Sequence, residues 1–175
     1  MLTLRLALVI WLTLSAPFVA AAEGWTSLRP TDDAEVVDTT DAEPTSGNVG
    51  VFYRSEGNPN LMLTCTESEG LRVSFGLEDI DFRTAALTAT SRFRRVRVKL
   101  LIDGEETTGI QSVYLPSLKV LDPQREVPAR KVFNSVVRQV PIELSMPGKG
   151  KFTYTLPAVD DAFRDFANSC SVTSR

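Results

Sequence analysis

The chain is 175 residues long, carries 19 Lys and Arg against 22 Asp and Glu, and contains no histidine. A mildly acidic balance offers no basic footprint for nucleic acid, so that partner is excluded. The missing imidazole removes histidine triads, histidine metal sites and histidine pH switches.

Residues 1–22 have the three parts of an export signal. Arg5 supplies the positive start, Leu6 to Leu14 (LALVIWLTL) the apolar core, and Ala20 to Ala22 small residues for cleavage. The apolar run is well short of the ~20 residues that span a bilayer. The leader is therefore expected to be cleaved, leaving no membrane span and a chain in the periplasm or outside the cell. The mature chain is then one domain's length, enough for a hydrophobic core.

Glu23 to Asn48 reads as a flexible acidic arm, with Asp32, Asp33, Glu35, Asp38, Asp41 and Glu43 among Pro30, Pro44 and Gly47. Low hydrophobicity with unbalanced charge does not offset the entropy of folding. Trp25 is the exception, an aromatic suited to docking on the domain and pinning the arm. Residues 49–175 read as a single disulfide-linked, β-rich domain. Asn60 to Thr66 alternates with Leu61, Leu63 and Cys65 on one face, and Leu71, Val73 and Phe75 answer them across a turn at 67–70. Asp81 to Thr90 is a weaker third strand. The clearest alternation is Phe93 to Ile102, with Val96, Val98, Leu100 and Ile102 facing one way and Arg95, Arg97 and Lys99 the other. Asp103-Gly104 turns the chain into a returning strand near Gly109 to Leu115.

Glu126 to Val140 is expected to be helical, with Pro128 in its first turn, Val132, Phe133, Val136, Val137 and Val140 on one stripe, and Pro141 as its stop. A third hairpin comes next, around Pro147 to Gly150. The chain closes on a helix from Val159 to Cys170, with Asp160 and Asp161 at its positive end. The fold class is α+β: mainly an antiparallel sheet or sandwich with two short helices, one of them C-terminal.

Cys65 and Cys170 are the two cysteines of the chain. Behind an export leader, two thiols are expected to form one disulfide, which closes a loop of about 100 residues worth up to ~4–5 kcal/mol in the chain-entropy model. No CxxC spacing marks a redox pair, and two thiols without histidine do not complete a zinc shell. Neither a metal site nor a cofactor is expected.

Arg92, Arg94, Arg95, Arg97 and Lys99 are the chain's basic cluster. Arg95, Arg97 and Lys99 share a strand face and form the candidate binding face for phosphate, an acidic glycan or a partner's carboxylates. A solvated strand face is the plainer reading of the same charges. The carboxylate pairs Asp79/Asp81 and Asp160/Asp161 lack the opposed geometry and aromatic platform of a glycosidase. No Ser-x-x-Lys frame occurs. No catalytic residue is assigned, and an enzyme is not expected.

From Trp25 to Cys170 the order of segments resembles the periplasmic accessory proteins associated with type VI secretion, the VasI/TagO-like family. The resemblance is carried by Trp25 ahead of Pro30-Thr31-Asp32-Asp33, and by Asn60 to Cys65 followed by Leu71 to Phe75. Val96 to Gly104 (VRVKLLIDG) is similar to the family's "vRyRiDg" strand. Phe152 to Leu156 with Phe163 and Cys170 resembles its closing strand, helix and cysteine. The resemblance implies a non-enzymatic periplasmic protein with a Cys65–Cys170 bridge, accessory to a secretion or cell-envelope assembly and partnered by one of its proteins. A binding module for an anionic small ligand or glycan is the alternative, and a cell-wall hydrolase a third.

Overall fold

The computed structural model describes residues 24–28, 49–54, 57–66, 68–82 and 92–170. The leader expected over 1–22 and most of the arm expected over 23–48 lie outside the described residues. Nine strands form one antiparallel sheet: β1 (Trp25–Leu28), β2 (Val49–Tyr53), β3 (Asn60–Thr66), β4 (Gly70–Gly76), β5 (Arg94–Ile102), β6 (Glu105–Leu115), β7 (Val120–Pro123), β8 (Ile142–Met146) and β9 (Gly150–Tyr154). Their order across the sheet is β1-β2-β3-β4-β7-β6-β5-β8-β9. Helix α1 (Glu126–Arg138) packs over β4, β5 and β7, and helix α2 (Asp161–Ser169) over β1 and β2. The architecture is thus antiparallel β with two helices among the described residues, one of them C-terminal. The sheet curls into a half-barrel, which corrects the sandwich: the strands share one continuous ladder, and helices rather than a second sheet cover its apolar face.

The expected alternation builds the covered face. Leu61, Leu63, Leu71, Val73 and Phe75 from β3 and β4 join Val98, Leu100 and Leu144 from β5 and β8 in one buried cluster. Val132 and Val136 of α1 and Phe163 and Phe166 of α2 close it. A smaller cluster of Phe52, Phe82 and Val120, with Met62 and Leu115 against it, lies on the opposite face of the same strands. Among the described residues no helix is long and apolar enough to cross a membrane.

Trp25 opens a strand rather than docking as an isolated ring. Its strand pairs with β2 from Trp25↔Tyr53 to Leu28↔Gly50, so the sheet takes the first residues assigned to the arm. The indole packs between Tyr53 and Phe163, with ring centroids 5.8 and 5.1 Å away. Asp160 joins this strand to the C-terminal helix. One carboxylate oxygen accepts the Phe163 amide at 3.0 Å and so caps α2, while the other accepts the Trp25 amide at 2.7 Å. At the opposite end of α2, Cys170 is bonded to Cys65 of β3, with 5.7 Å between their Cα atoms and 105 positions between them in sequence. The last helix is therefore held at both ends.

Two further expectations shift. Within the Asp81 to Thr90 strand, Asp81 and Phe82 are not in a strand and residues 83–90 lie outside the described set. Helix α1 stops at Arg138, two residues before Val140. Gln139 takes the left-handed conformation (φ 56°) and its amide returns to the helix carbonyls, while Pro141 keeps Val140, the residue before it, out of the helical region. Strand β7 is an addition to the expected elements. It pairs with both β4 and β6, which places the two main hairpins in one sheet.

Candidate functional site

The β5–β6 hairpin positions the basic face. Asp103 (φ 53°) and Gly104 (φ 77°) both lie in the left-handed region, as a two-residue turn of this twist requires. Near the turn Leu100 pairs with Thr107, but beyond it Val98 pairs with Ile110, so β6 carries one extra residue. Gly109, at φ 69°, sits in that bulge in a conformation that costs a side-chain-bearing residue about 1 kcal/mol or more. The bulge decides which side chains meet. Beyond it Arg97 pairs with Gln111 and Arg95 with Val113, while Ile110 and Ser112 turn inward and are buried.

The register extends these rows across the sheet. Val113 pairs with Asp122 of β7, so Arg95, Val113 and Asp122 share a row and a face. In the next row the Gln124 amide donates to the Gln111 carbonyl at 3.0 Å, and Arg72 of β4 donates to the Gln124 carbonyl at 3.3 Å. An open groove of about 450 Å³ runs past Arg95, Val96, Arg97, Gln111, Ser112 and Gln124. That volume falls within the ~300–1,000 Å³ typical of small-molecule sites.

The three predicted binding residues do not act as one set. Arg95 and Arg97 are exposed and line the groove, and among the described residues neither is in an ion pair. Lys99 donates to Glu106 at 3.2 Å and lies outside the groove lining. Past it, Lys151 pairs with Glu143 at 2.7 Å. The face is thus cationic at Arg95 and Arg97 and neutralised beyond Lys99.

Asp122 does not stand out in the sequence. Burial holds its carboxyl above the usual range, against the opposing effects of a Ser74 hydrogen bond and the Arg72 charge. Its Oδ1 is buried without a hydrogen-bond partner. Gln111, Ser112 and Gln124 are not legible as site residues either, because only the bulged register and strand β7 bring them beside the arginines. Phe93, two residues before Arg95, is 59% exposed.

Of the carboxylates weighed for catalysis, Asp79, Asp160 and Asp161 are spent on structure. Asp79 accepts both nitrogens of the Arg54 fork at 2.5 and 3.1 Å, which holds its carboxyl below the usual range. Asp160 caps α2 and Asp161 pairs with Arg164 at 2.6 Å. Among the described residues no three His, Cys, Asp or Glu side chains gather as metal ligands. No protein-family model, curated protein or solved structure matches this chain.

Proposed function

We propose that the chain is an exported, non-enzymatic interaction protein of the periplasm, accessory to a secretion or cell-envelope assembly, that grips an acidic partner through Arg95 and Arg97. The observation that carries this reading is the pair of arginines. They project from a central strand of a sheet stapled by a disulfide, line an open groove and lack ion pairs among the described residues. Guanidinium groups fixed on such a scaffold lose little freedom on meeting a carboxylate, which favours recognition. The disulfide agrees with passage through an oxidising compartment. The apolar leader and the resemblance to the type VI secretion-associated accessory family support the same location and role. The hydrolase alternative gains nothing from Asp79 and Asp160, whose oxygens are engaged elsewhere.

The test is an affinity pull-down of the mature protein from crosslinked envelope beside Arg95→Ala/Arg97→Ala. The reading expects secretion or envelope-assembly components with the wild type and their loss with the double variant. Equal recovery by both proteins would remove the arginine face from the account, and an empty pull-down would remove the role.

A further inference from the structure

We infer that the Arg95/Arg97 groove is a saccharide site, and that its ligand is a short glycan carrying carboxylates. The inference rests on the reading of Arg95 and Arg97 as the recognition face and names the chemistry that face selects. Three observations combine.

The first is charge. Arg95 and Arg97 point to one side of β5 about 7 Å apart, the two-residue repeat of a strand, and each offers a planar fork suited to a carboxylate. No ion pair among the described residues satisfies them, whereas Lys99 is engaged by Glu106. The second is the groove's neutral lining. Gln111 and Gln124 are exposed and carry amides that donate and accept. Groups that both donate and accept match ligand hydroxyls, which do the same. A purely anionic ligand such as free phosphate has no use for the acceptors.

The third is Phe93. A single exposed apolar side chain is ordinary. Phe93, however, lies immediately ahead of β5, two residues before Arg95, and is 59% exposed. An exposed aromatic this near to Arg95 in the chain offers a platform against which the C–H face of a sugar ring packs, an element that the carboxylate pairs lack. A groove of about 450 Å³ accommodates a few sugar units.

The experiment is calorimetric titration of the mature protein with an oligogalacturonate, a neutral maltooligosaccharide of matched length and poly-L-glutamate. Wild type, Phe93→Ala and Arg97→Ala are compared at two salt concentrations. All altered side chains are exposed, so unchanged melting temperatures serve as the folding control. The inference expects oligogalacturonate to bind, the neutral glycan to bind at least tenfold more weakly, and each substitution to weaken binding about tenfold. Only Arg97→Ala should flatten the salt dependence. Poly-L-glutamate binding as tightly, with Phe93→Ala without effect, would overturn the glycan and leave the acidic-partner role standing. Equal binding of the neutral glycan, or no saccharide binding, also overturns it, while the envelope pull-down judges the broader role separately.

Discussion

At the scale of single residues, two aspartates, one in β7 and one just after β4, respond to pH in opposite senses. Asp122 is half-buried, with its Oδ1 shielded from solvent, and desolvation holds its carboxyl above the usual range. Its native state holds the proton more tightly than the unfolded chain does, so stability falls as pH rises from the ordinary carboxylate range through the raised native value. At neutral pH the ionised group is a net cost. Asp122→Asn is expected to raise the melting temperature at pH 7 and to leave it nearly unchanged in acid, where the wild-type carboxyl is already protonated. Asp79, depressed by its Arg54 hydrogen bonds, contributes stability above the ordinary carboxylate range that is lost as pH falls through its lowered value. A wild-type pH–stability curve beside that of Asp122→Asn separates the two.

Close approach governs Gly76. It lies opposite Asn60, and a Cβ there would stand 2.0 Å from the Asn60 amide oxygen. The Asn60 side chain is fully buried and donates to the Ile80 carbonyl at 2.6 Å, which holds the 77–80 segment against the outer apolar cluster. Gly76→Ala forces that amide to move and is expected to cost about 2–3 kcal/mol, since it strands a buried donor. Urea denaturation measures it, and a loss below a few tenths of a kcal/mol would show that the amide relocates freely.

At the scale of elements, the bulge and the helix cap carry most of the specificity. The alternation of β5 and the Asp103-Gly104 turn were both legible in the sequence. They do not reveal the Gly109 bulge, and a hairpin counted outward from that turn without it sets Arg97 against Ile110 instead of Gln111. One extra residue reverses which side chains of β6 face the arginines. That is why Arg95 and Arg97 are readable as a binding face and Gln111, Ser112 and Gln124 are not. Strand β7, at four residues, is too short to announce itself by periodicity, and its place between β4 and β6 is a tertiary choice. Gly109→Val is expected to lose at least about 1 kcal/mol of stability through the left-handed backbone alone. A Cβ at this position meets nothing within 4 Å, so the loss is assigned to the backbone conformation.

Asp160 has two duties, and only the cap was readable from its place ahead of an amphipathic run. The bond to the Trp25 amide depends on a strand 135 positions away. Asp160→Ala is expected to cost about 2–3 kcal/mol, more than an ordinary cap, because a partly buried strand amide is orphaned along with the helix end. Asp160→Asn retains acceptors and should recover much of the loss. If alanine costs no more than an isolated cap, the strand-to-helix tie is energetically idle.

For the whole molecule, the order of construction follows from long-range closures. The first described strand lies at one edge of the sheet, the last helix covers it, and a disulfide spanning 105 positions fixes that helix to β3. In the chain-entropy model a closure of this length contributes ~4–5 kcal/mol, a large share of the ~5–15 kcal/mol that holds a typical domain together. The bridge was legible from the cysteine count and the expected leader. The half-barrel was not, because alternating strands describe an open sheet and a sandwich equally well until the helices are placed. A leader cleaved after about residue 22 would leave Trp25 free to begin the sheet, so export and fold are compatible at that boundary.

The most direct test of export and closure together is the mass and thiol state of the protein recovered from its native cells after fractionation, alkylated without reduction. The expected result is an N-terminus near Glu23, recovery with the periplasmic or external fraction, and neither Cys65 nor Cys170 alkylated. A full-length chain in the cytoplasmic fraction with both thiols alkylated would contradict it, and with it the envelope role of the arginine face.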